Sequence, residues 1–127
     1  MVSWMFGALL CWSQHTDGIY DDPNQAAFCT EDISRFWKAY DRAKESKTPE
    51  EVFQKQYFDL ATPGLKYFEA SKIKGTKNLA AFVKKAPKFY DGIRSNSMRI
   101  QSQFPKLRAV FHALKHLYPQ ARFPTVY

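Results

Sequence analysis

The sequence predicts an all-α protein: an irregular bundle of about five to six short helices, followed by an extended C-terminal segment. Apolar residues recur at intervals of three and four, which places them on one face of a helix. Prolines open several of these stretches, at the position where a helix has no use for an amide hydrogen. The stretches differ in length and recur at no fixed period, which argues against a repeat solenoid. With 127 residues, 45% of them hydrophobic, the chain can bury the core of one domain.

The first 27 residues are predicted to be an apolar leader and a polar linker, and residues 28–127 to be the helical domain. Met1–Trp12 is apolar and uncharged, but a bilayer core requires about 20 such residues. Its length suits an export signal, although no basic residue precedes it and no small-residue cleavage site follows. Leu9-Leu10-Cys11 outlines a bacterial lipoprotein site, with Leu10 where a small residue is expected. We interpret the leader as a degenerate or truncated export signal, and the alternative is a segment that packs on the core.

Five helices are predicted before the last one, with threonines as candidate N-terminal caps. Thr30 precedes the acidic pair Glu31 and Asp32, and Thr48, Thr62 and Thr76 open later helices. In each of the first four helices a set of apolar residues is expected to point into the core. The sets are Ile33, Phe36, Trp37, Tyr40 and Ala43 in the first helix; Val52, Phe53, Tyr57 and Leu60 in the second; Leu65, Phe68 and Ile73 in the third; and Leu79, Phe82, Val83 and Ala86 in the fourth. A less regular fifth helix contains Phe89, Tyr90 and Ile93, and is weakened by Gly92.

The last helix is the most regular. Six residues form its apolar stripe: Leu107, Val110, Phe111, Leu114, Leu117 and Tyr118. Pro105 suits its first turn and Pro119 ends it. Ala121–Tyr127 is then expected to be a β-strand, rich in β-branched and aromatic residues. Because no convincing second strand lies upstream, the chain is predicted to be the front part of a longer protein.

Positive charge is concentrated in the second half of the chain. Residues 1–59 contain six Lys and Arg against ten Asp and Glu, whereas residues 60–127 contain thirteen against two. The basic half could attract an anionic partner, with Lys84, Lys85 and Lys88 as the candidate contacts. A solvated basic face is the plainer interpretation. Nucleic acid is disfavoured, because no recognised reading motif accompanies the charge.

The residues offer little catalytic chemistry. His112 and His116 lie four apart on the last helix, a spacing that zinc ligands use, and are the weak candidates for a metal site. Ala113 stands where a metallopeptidase helix has its catalytic Glu, and both histidines lie opposite the apolar stripe, where we expect open solvent. Cys11 and Cys29 lack a metal-binding spacing, and a disulfide between them would require an oxidising compartment. The aromatic residues are interpreted as core, with a small-ligand pocket among them as the alternative.

Several patches of residues resemble one family: bacterial predicted zinc-dependent metallopeptidases, related to the gliding-motility lipoprotein family. The matching patches, in family order, are Asp32-Ile33, Phe36-Trp37, Ala39-Tyr40-Asp41, Gly64-Leu65, Tyr90, Ile93-Arg94, Leu114-Lys115, Leu117-Tyr118-Pro119, Ala121, Phe123-Pro124 and Val126-Tyr127. The resemblance covers about residues 28–127. It implies a helical N-terminal half that is followed, in the family, by a His-Glu-x-x-His helix. This chain contains no such motif, so no family zinc ligand or catalytic residue maps onto it.

The sequence thus predicts a non-catalytic helical N-terminal segment of an exported, metallopeptidase-like protein, which is expected to be truncated. Zinc is expected only in the missing half, and the chain itself is predicted to hold no cofactor. The predicted partners are that protease half or an acidic protein surface. The alternative function is a basic interaction module for an anionic partner, which could be an acidic protein, a membrane surface or nucleic acid. The location is predicted to be exported or cell-envelope, or cytoplasmic if the leader does not function.

Overall fold

The computed structural model describes residues 18–127, and this part of the chain is mostly helical, as predicted. The six α-helices are α1 Glu31–Glu45, α2 Pro49–Phe53, α3 Pro63–Phe68, α4 Thr76–Lys85, α5 Pro87–Met98 and α6 Phe104–Leu117. Turns of π-helix continue α2 through Gln54–Phe58 and α3 through Glu69–Ile73, and a 3-10 turn, Ile100–Gln103, precedes α6. Two short strands are β1, Ile19–Tyr20, and β2, Phe123–Pro124. The predicted leader, Met1–Trp12, and its Cys11 lie outside the described residues.

Prolines lie in the first turn of four of these helices, but only one of the threonines caps a helix through its side chain. Pro49, Pro63 and Pro87 are the first residues of their helices, and Pro105 is the second residue of α6. Thr62 has extended backbone (ψ 164°), and its hydroxyl accepts a hydrogen bond from the amide of Leu65. Thr30 (ψ 10°) and Thr48 (ψ 67°) are not extended and form no such bond, and Thr76 lies inside α4. Thr30 and Thr48 therefore stand at the N-cap positions, as predicted, without a capping side-chain hydrogen bond. The predicted cap at Thr76 is wrong, because Gly75 occupies the N-cap position of α4.

The main core surrounds α1, whose aromatic face packs against α2 and α5, while α4 packs against α2 and adds Leu79, Ala80 and Val83 to the same core. Trp37 and Tyr40 of α1 are buried, as are Phe53 of α2 and Tyr57 of the π-turn that follows it. Phe36 lies among them, and its ring centroid is 5.4 Å from that of Tyr57 and 4.9 Å from that of Trp37. The predicted inward face of the first helix is confirmed.

Three residues that the sequence predicted to face inward are more than half exposed: Leu60 and Phe68 at 53%, and Phe82 at 57%. For Leu60 the reason is that it lies in the turn that follows the π-turn Gln54–Phe58, so the helical period that predicted its burial does not reach it. Phe58 is buried instead. Phe68 and Phe82 line clefts over which no described element packs.

Polar bonds fasten α5 to α1. Arg94 donates two hydrogen bonds of 2.7 Å to the carboxylate of Asp41, and Lys44 forms a 3.0 Å ion pair with Asp91. The hydroxyl of Tyr40 donates to the same Asp91 at 2.9 Å. The Arg94 guanidinium lowers the pKa of Asp41, and Lys44 lowers that of Asp91. Both carboxylates are therefore held in the charged form that these ion pairs require. We call the two ion pairs together the clamp.

The C-terminal strand has a partner upstream, so the prediction of an unpaired strand is wrong. β2 pairs antiparallel with β1, with Ile19 opposite Pro124. A further bridge joins Phe28 to Val126, whose carbonyl accepts a 2.7 Å hydrogen bond from the amide of Cys29. The sequence signal for β1 is only two residues long and lies inside the predicted linker. The argument for a missing half that rested on an unpaired strand therefore fails.

A second, smaller core lies where the two strands meet α6. Ala26, Ala121 and Phe123 are buried there, and Phe111 of α6 stacks on Phe123 with ring centroids 4.7 Å apart. Phe28 adds a stacked contact to Phe111 at 5.8 Å. α6 is thus held by the N- and C-terminal segments of the described chain. Across residues 18–127, no helix combines the length and the apolar character that a membrane crossing requires.

Candidate functional site

The polar side of α6 is not solvated but packs against residues 21–26, next to the small core that Phe111 enters. Arg108 donates to the backbone carbonyls of Pro23 and Ala26, and Lys115 donates to Asp21 and to the carbonyl of Ala121, at 3.0 and 2.9 Å. These bonds fix residues 21–26 along one flank of the helix, in the opposite direction to it. The side of α6 opposite the apolar stripe was expected to face open solvent, whereas Arg108 and Lys115 on that side bind backbone carbonyls and Asp21 of other segments.

His112 and His116 do not form a metal site with a third ligand. Both are exposed, and His112 Nε2 lies 3.0 Å from the side-chain oxygen of Asn24. No group of three His, Cys, Asp or Glu side chains within residues 18–127 has an arrangement that could hold a metal ion. In the described structure His112 takes part in attaching the N-terminal segment to α6.

The opposite side of α6 is an apolar surface with little cover. We call Leu107, Val110, Leu114 and Leu117 the α6 face. Their exposed fractions are 38, 62, 46 and 81%, and only Phe111 of the predicted stripe turns into the small core. A row of four large apolar side chains over three helical turns normally packs against another element. No element within residues 18–127 buries this row.

An apolar groove continues from Leu107 across the molecule. It consists of two clefts, of about 520 and 400 Å³, which share the residues Asp32, Ile33 and Phe68. The first lies between α1, α3 and the start of α6, and Leu107 lines it. The second lies between α1, α4 and α5, and is lined by Phe82 and other apolar side chains. We call the two together the apolar groove.

Hydrogen bonds between Thr62 and Asp32, which we call the latch, lie in one wall of the groove. The Thr62 hydroxyl, on a residue that is only 1% exposed, donates a short hydrogen bond to the Asp32 carboxylate, and the Thr62 amide donates to the same group at 3.3 Å. Arg35 adds an ion pair at 3.0 Å. Because its oxygens are engaged in this way, Asp32 acts as a structural anchor that fixes α3 against α1. What the groove offers a partner is mainly apolar contact.

The candidate lysines do not form one site. Lys84, Lys85 and Lys88 are all exposed, but only Lys84 lines a cleft, of about 670 Å³, between α1, α2 and α4. Lys44, Lys47 and Lys77 line the same cleft, together with the acidic residue Glu50 and the buried ring of Phe53. The charge pattern of the sequence suggested Lys84, whereas the other three lysines join the cleft only because α1 and α4 both pack against α2.

Comparison of the chain with family models, with curated proteins and with solved structures gave no match. The resemblance to zinc metallopeptidases therefore stays a prediction from the sequence.

Proposed function

We propose that residues 28–127 are a non-catalytic helical domain that packs against a second protein domain, in an exported protein of the zinc-metallopeptidase-like kind. The observation that carries the proposal is the apolar groove, with exposed aromatic residues at its rim. An exposed apolar surface of this extent is typical of an interface with another protein. The resemblance of the sequence suggests that the second domain is a protease.

The chemistry of the groove favours binding over catalysis. Its named lining residues Ile33, Phe68 and Phe82 supply shape and apolar contact. Its carboxylate, Asp32, is already bonded to Thr62 and Arg35. A general acid or base must be able to exchange a proton with a substrate, and an anchored carboxylate is poorly placed to do so.

The net charge of the chain indicates the charge expected around the edge of a partner's binding surface. The net charge of residues 60–127 is +11, and Lys72 lies at the edge of the groove. Complementary charge speeds association and disfavours wrong partners. We therefore expect a partner surface with an apolar centre and an acidic border.

A photo-crosslinking amino acid placed at Phe68 tests this proposal in the cells that express the protein. Phe89 is the matched control, because it is an exposed aromatic residue (62%) that lines none of the clefts described here. We expect a crosslink from position 68, and not from position 89, to a protein that contains a His-Glu-x-x-His sequence. Equal crosslinking from both positions would contradict a specific groove. A specific crosslink to a protein without that motif would keep the docking role and refute the link to a peptidase.

Metal analysis and turnover test the non-catalytic part. We expect the purified chain to contain no stoichiometric zinc and to cleave neither casein nor peptides when one equivalent of zinc is added. Zinc-dependent cleavage that co-purifies with the chain would refute this part of the proposal.

The lysine-lined cleft favours a second candidate function, a basic module for an anionic partner. Lys47, Lys77 and Lys84 have no ion-pair partner among residues 18–127, so their charges remain available around one concave surface. We expect the chain to elute from heparin at a salt concentration that falls on charge reversal of Lys84. The same change at Lys88, an exposed lysine outside the cleft, should have a smaller effect. A chain that is not retained at low salt would remove this candidate.

A further inference from the structure

We propose that the α6 face binds an amphipathic helix of another protein, and that this helix carries acidic residues beside its apolar stripe. The α6 face meets the apolar groove only at Leu107, which lines the first cleft. Its other three members line neither cleft of the groove. The inference therefore concerns a second surface and does not depend on the partner domain proposed for the groove.

The spacing of the α6 face is that of a surface on which two helices pair. Its four members follow one another at intervals of three, four and three residues. This alternation places apolar side chains on a narrow seam between two helices that lie side by side. A helix that packs in a globular core usually presents a broader stripe. The α6 face therefore fits a single helix laid along it better than a sheet or an irregular loop.

One flank of the α6 face is open to a partner, whereas the other leads into the small core. Phe111 borders the second flank and packs in that core. At about 3.6 residues per turn, the open flank includes Lys106, Ala109 and Ala113, and all three are exposed. The two alanines have only methyl side chains, so a partner helix can approach the axis of α6 closely on this flank.

Charge favours an acidic helix over a second copy of this chain. Residues 92–127 contain six Lys and Arg and no Asp or Glu. Lys106, on the open flank, has no ion-pair partner among residues 18–127. Two copies joined through α6 would bring together two helices that each carry basic residues and no carboxylate, and like charges across an interface disfavour the pair. A partner helix with Asp or Glu beside its apolar stripe would instead supply the missing carboxylates.

Two designed helical peptides test the inference with the full chain. Both carry Leu at alternating intervals of three and four residues, and the residues that flank this stripe are Glu in one peptide and Lys in the other. Like charges on its own flanks keep each peptide from pairing with itself. By fluorescence anisotropy at low ionic strength, we expect the Glu peptide to bind at least about fivefold more tightly than the Lys peptide. Added salt should reduce this difference, because the charges involved are exposed.

Substitutions locate the bound peptide on the protein. Val110 is 62% exposed, so we expect Val110→Gln to retain the helical circular dichroism spectrum and to weaken binding of the Glu peptide at least about fivefold. Lys106→Glu should reduce the preference for the Glu peptide over the Lys peptide without removing an apolar contact. Phe89→Gln on α5 is the matched control, because Phe89 is equally exposed, and it should leave binding unchanged.

Four results would overturn the inference. The first is binding of neither peptide, and the second is equal affinity for both. The third is binding that Phe82→Gln weakens and Val110→Gln does not. Because Phe82 lines the second cleft, that result would place the helix in the apolar groove and leave the proposed function of the groove intact. The fourth is a chain that sediments as a dimer and becomes a monomer in Val110→Gln, which would assign the α6 face to a second copy.

Discussion

The latch between Thr62 and Asp32 makes a sharp prediction for the stability of the protein. Thr62→Val retains the volume and branching of the side chain but removes the hydroxyl. That hydroxyl is buried, donates to a carboxylate and accepts from the amide of Leu65. A hydrogen bond to a charged group contributes about 1.5–3 kcal/mol, and a helix cap contributes about 1 kcal/mol. We therefore expect Thr62→Val to lower the free energy of unfolding by about 2–4 kcal/mol.

Urea unfolding, followed by tryptophan fluorescence, measures this loss. Trp37 is buried in the main core, so its emission should report the unfolding of the bundle. Thr62→Ser is the matched control, because it retains both hydrogen bonds and loses only a methyl group, and it should cost less than half as much. If Thr62→Val unfolds within about 0.5 kcal/mol of the wild type, the range expected of an unimportant surface change, the reasoning is wrong. The groove would then not depend on the latch.

Two further predictions concern the clamp between α1 and α5 and the C-terminal contact. Arg94 lowers the pKa of Asp41, so the pair stabilises the fold above about pH 4 and this contribution is lost as the pH falls through the lowered pKa. In urea titrations from pH 7 to pH 2, the stability gap between wild type and Arg94→Gln should narrow with acidification, and a constant gap would contradict the assignment. Gly64→Ala would place a methyl group against the Cβ and Cγ of Tyr127, so the C-terminal residues must move. Hydrogen exchange at the Val126 amide, which donates to Ala27, should become faster while exchange within α1 stays the same; unchanged exchange at Val126 would show that the contact is unimportant.

The sequence predicts the helices well because their signals are local. Apolar periodicity identified the buried side of α1, and Pro49, Pro63, Pro87 and Pro105 lie at the starts of their helices. The π-turn after α2 was not predicted, since it depends on packing and not on any residue type. Its last residue, Phe58, is buried, whereas Leu60 lies beyond it in a turn and is exposed. A fixed helical period does not show where one form of helix gives way to another or to a turn.

The sequence correctly locates the apolar side of α6, but not that residues 18–127 leave this side exposed while the polar side packs. Periodicity shows which residues share a face, whereas burial depends on a partner that is distant in sequence. Arg108 and Lys115 are seven residues apart, two helical turns, and so share one side of α6. Two long hydrogen-bond donors on one side were the only sequence signal that this polar side packs against another segment. Their acceptors are mainly backbone carbonyls, which carry no side-chain signature. The groove was not the preferred prediction for a similar reason: by pattern alone Phe68 and Phe82 are ordinary core residues, and a pocket among the aromatic residues was only the alternative.

The pairing of β1 with β2 joins the first described residues to nearly the last, and this has a consequence for synthesis of the chain. Ile19 and Pro124 are about a hundred residues apart, and ribosomes add about 5–20 residues per second. Residues around Ile19 thus emerge roughly 5–20 seconds before their partner strand exists. Late in that interval, once α5 has been synthesised, the main core around Trp37 has all its elements, while Phe28 still lacks both Phe111 and Val126. The newborn protein should therefore pass through a stage in which the bundle is formed and Phe28 is still accessible to chaperones.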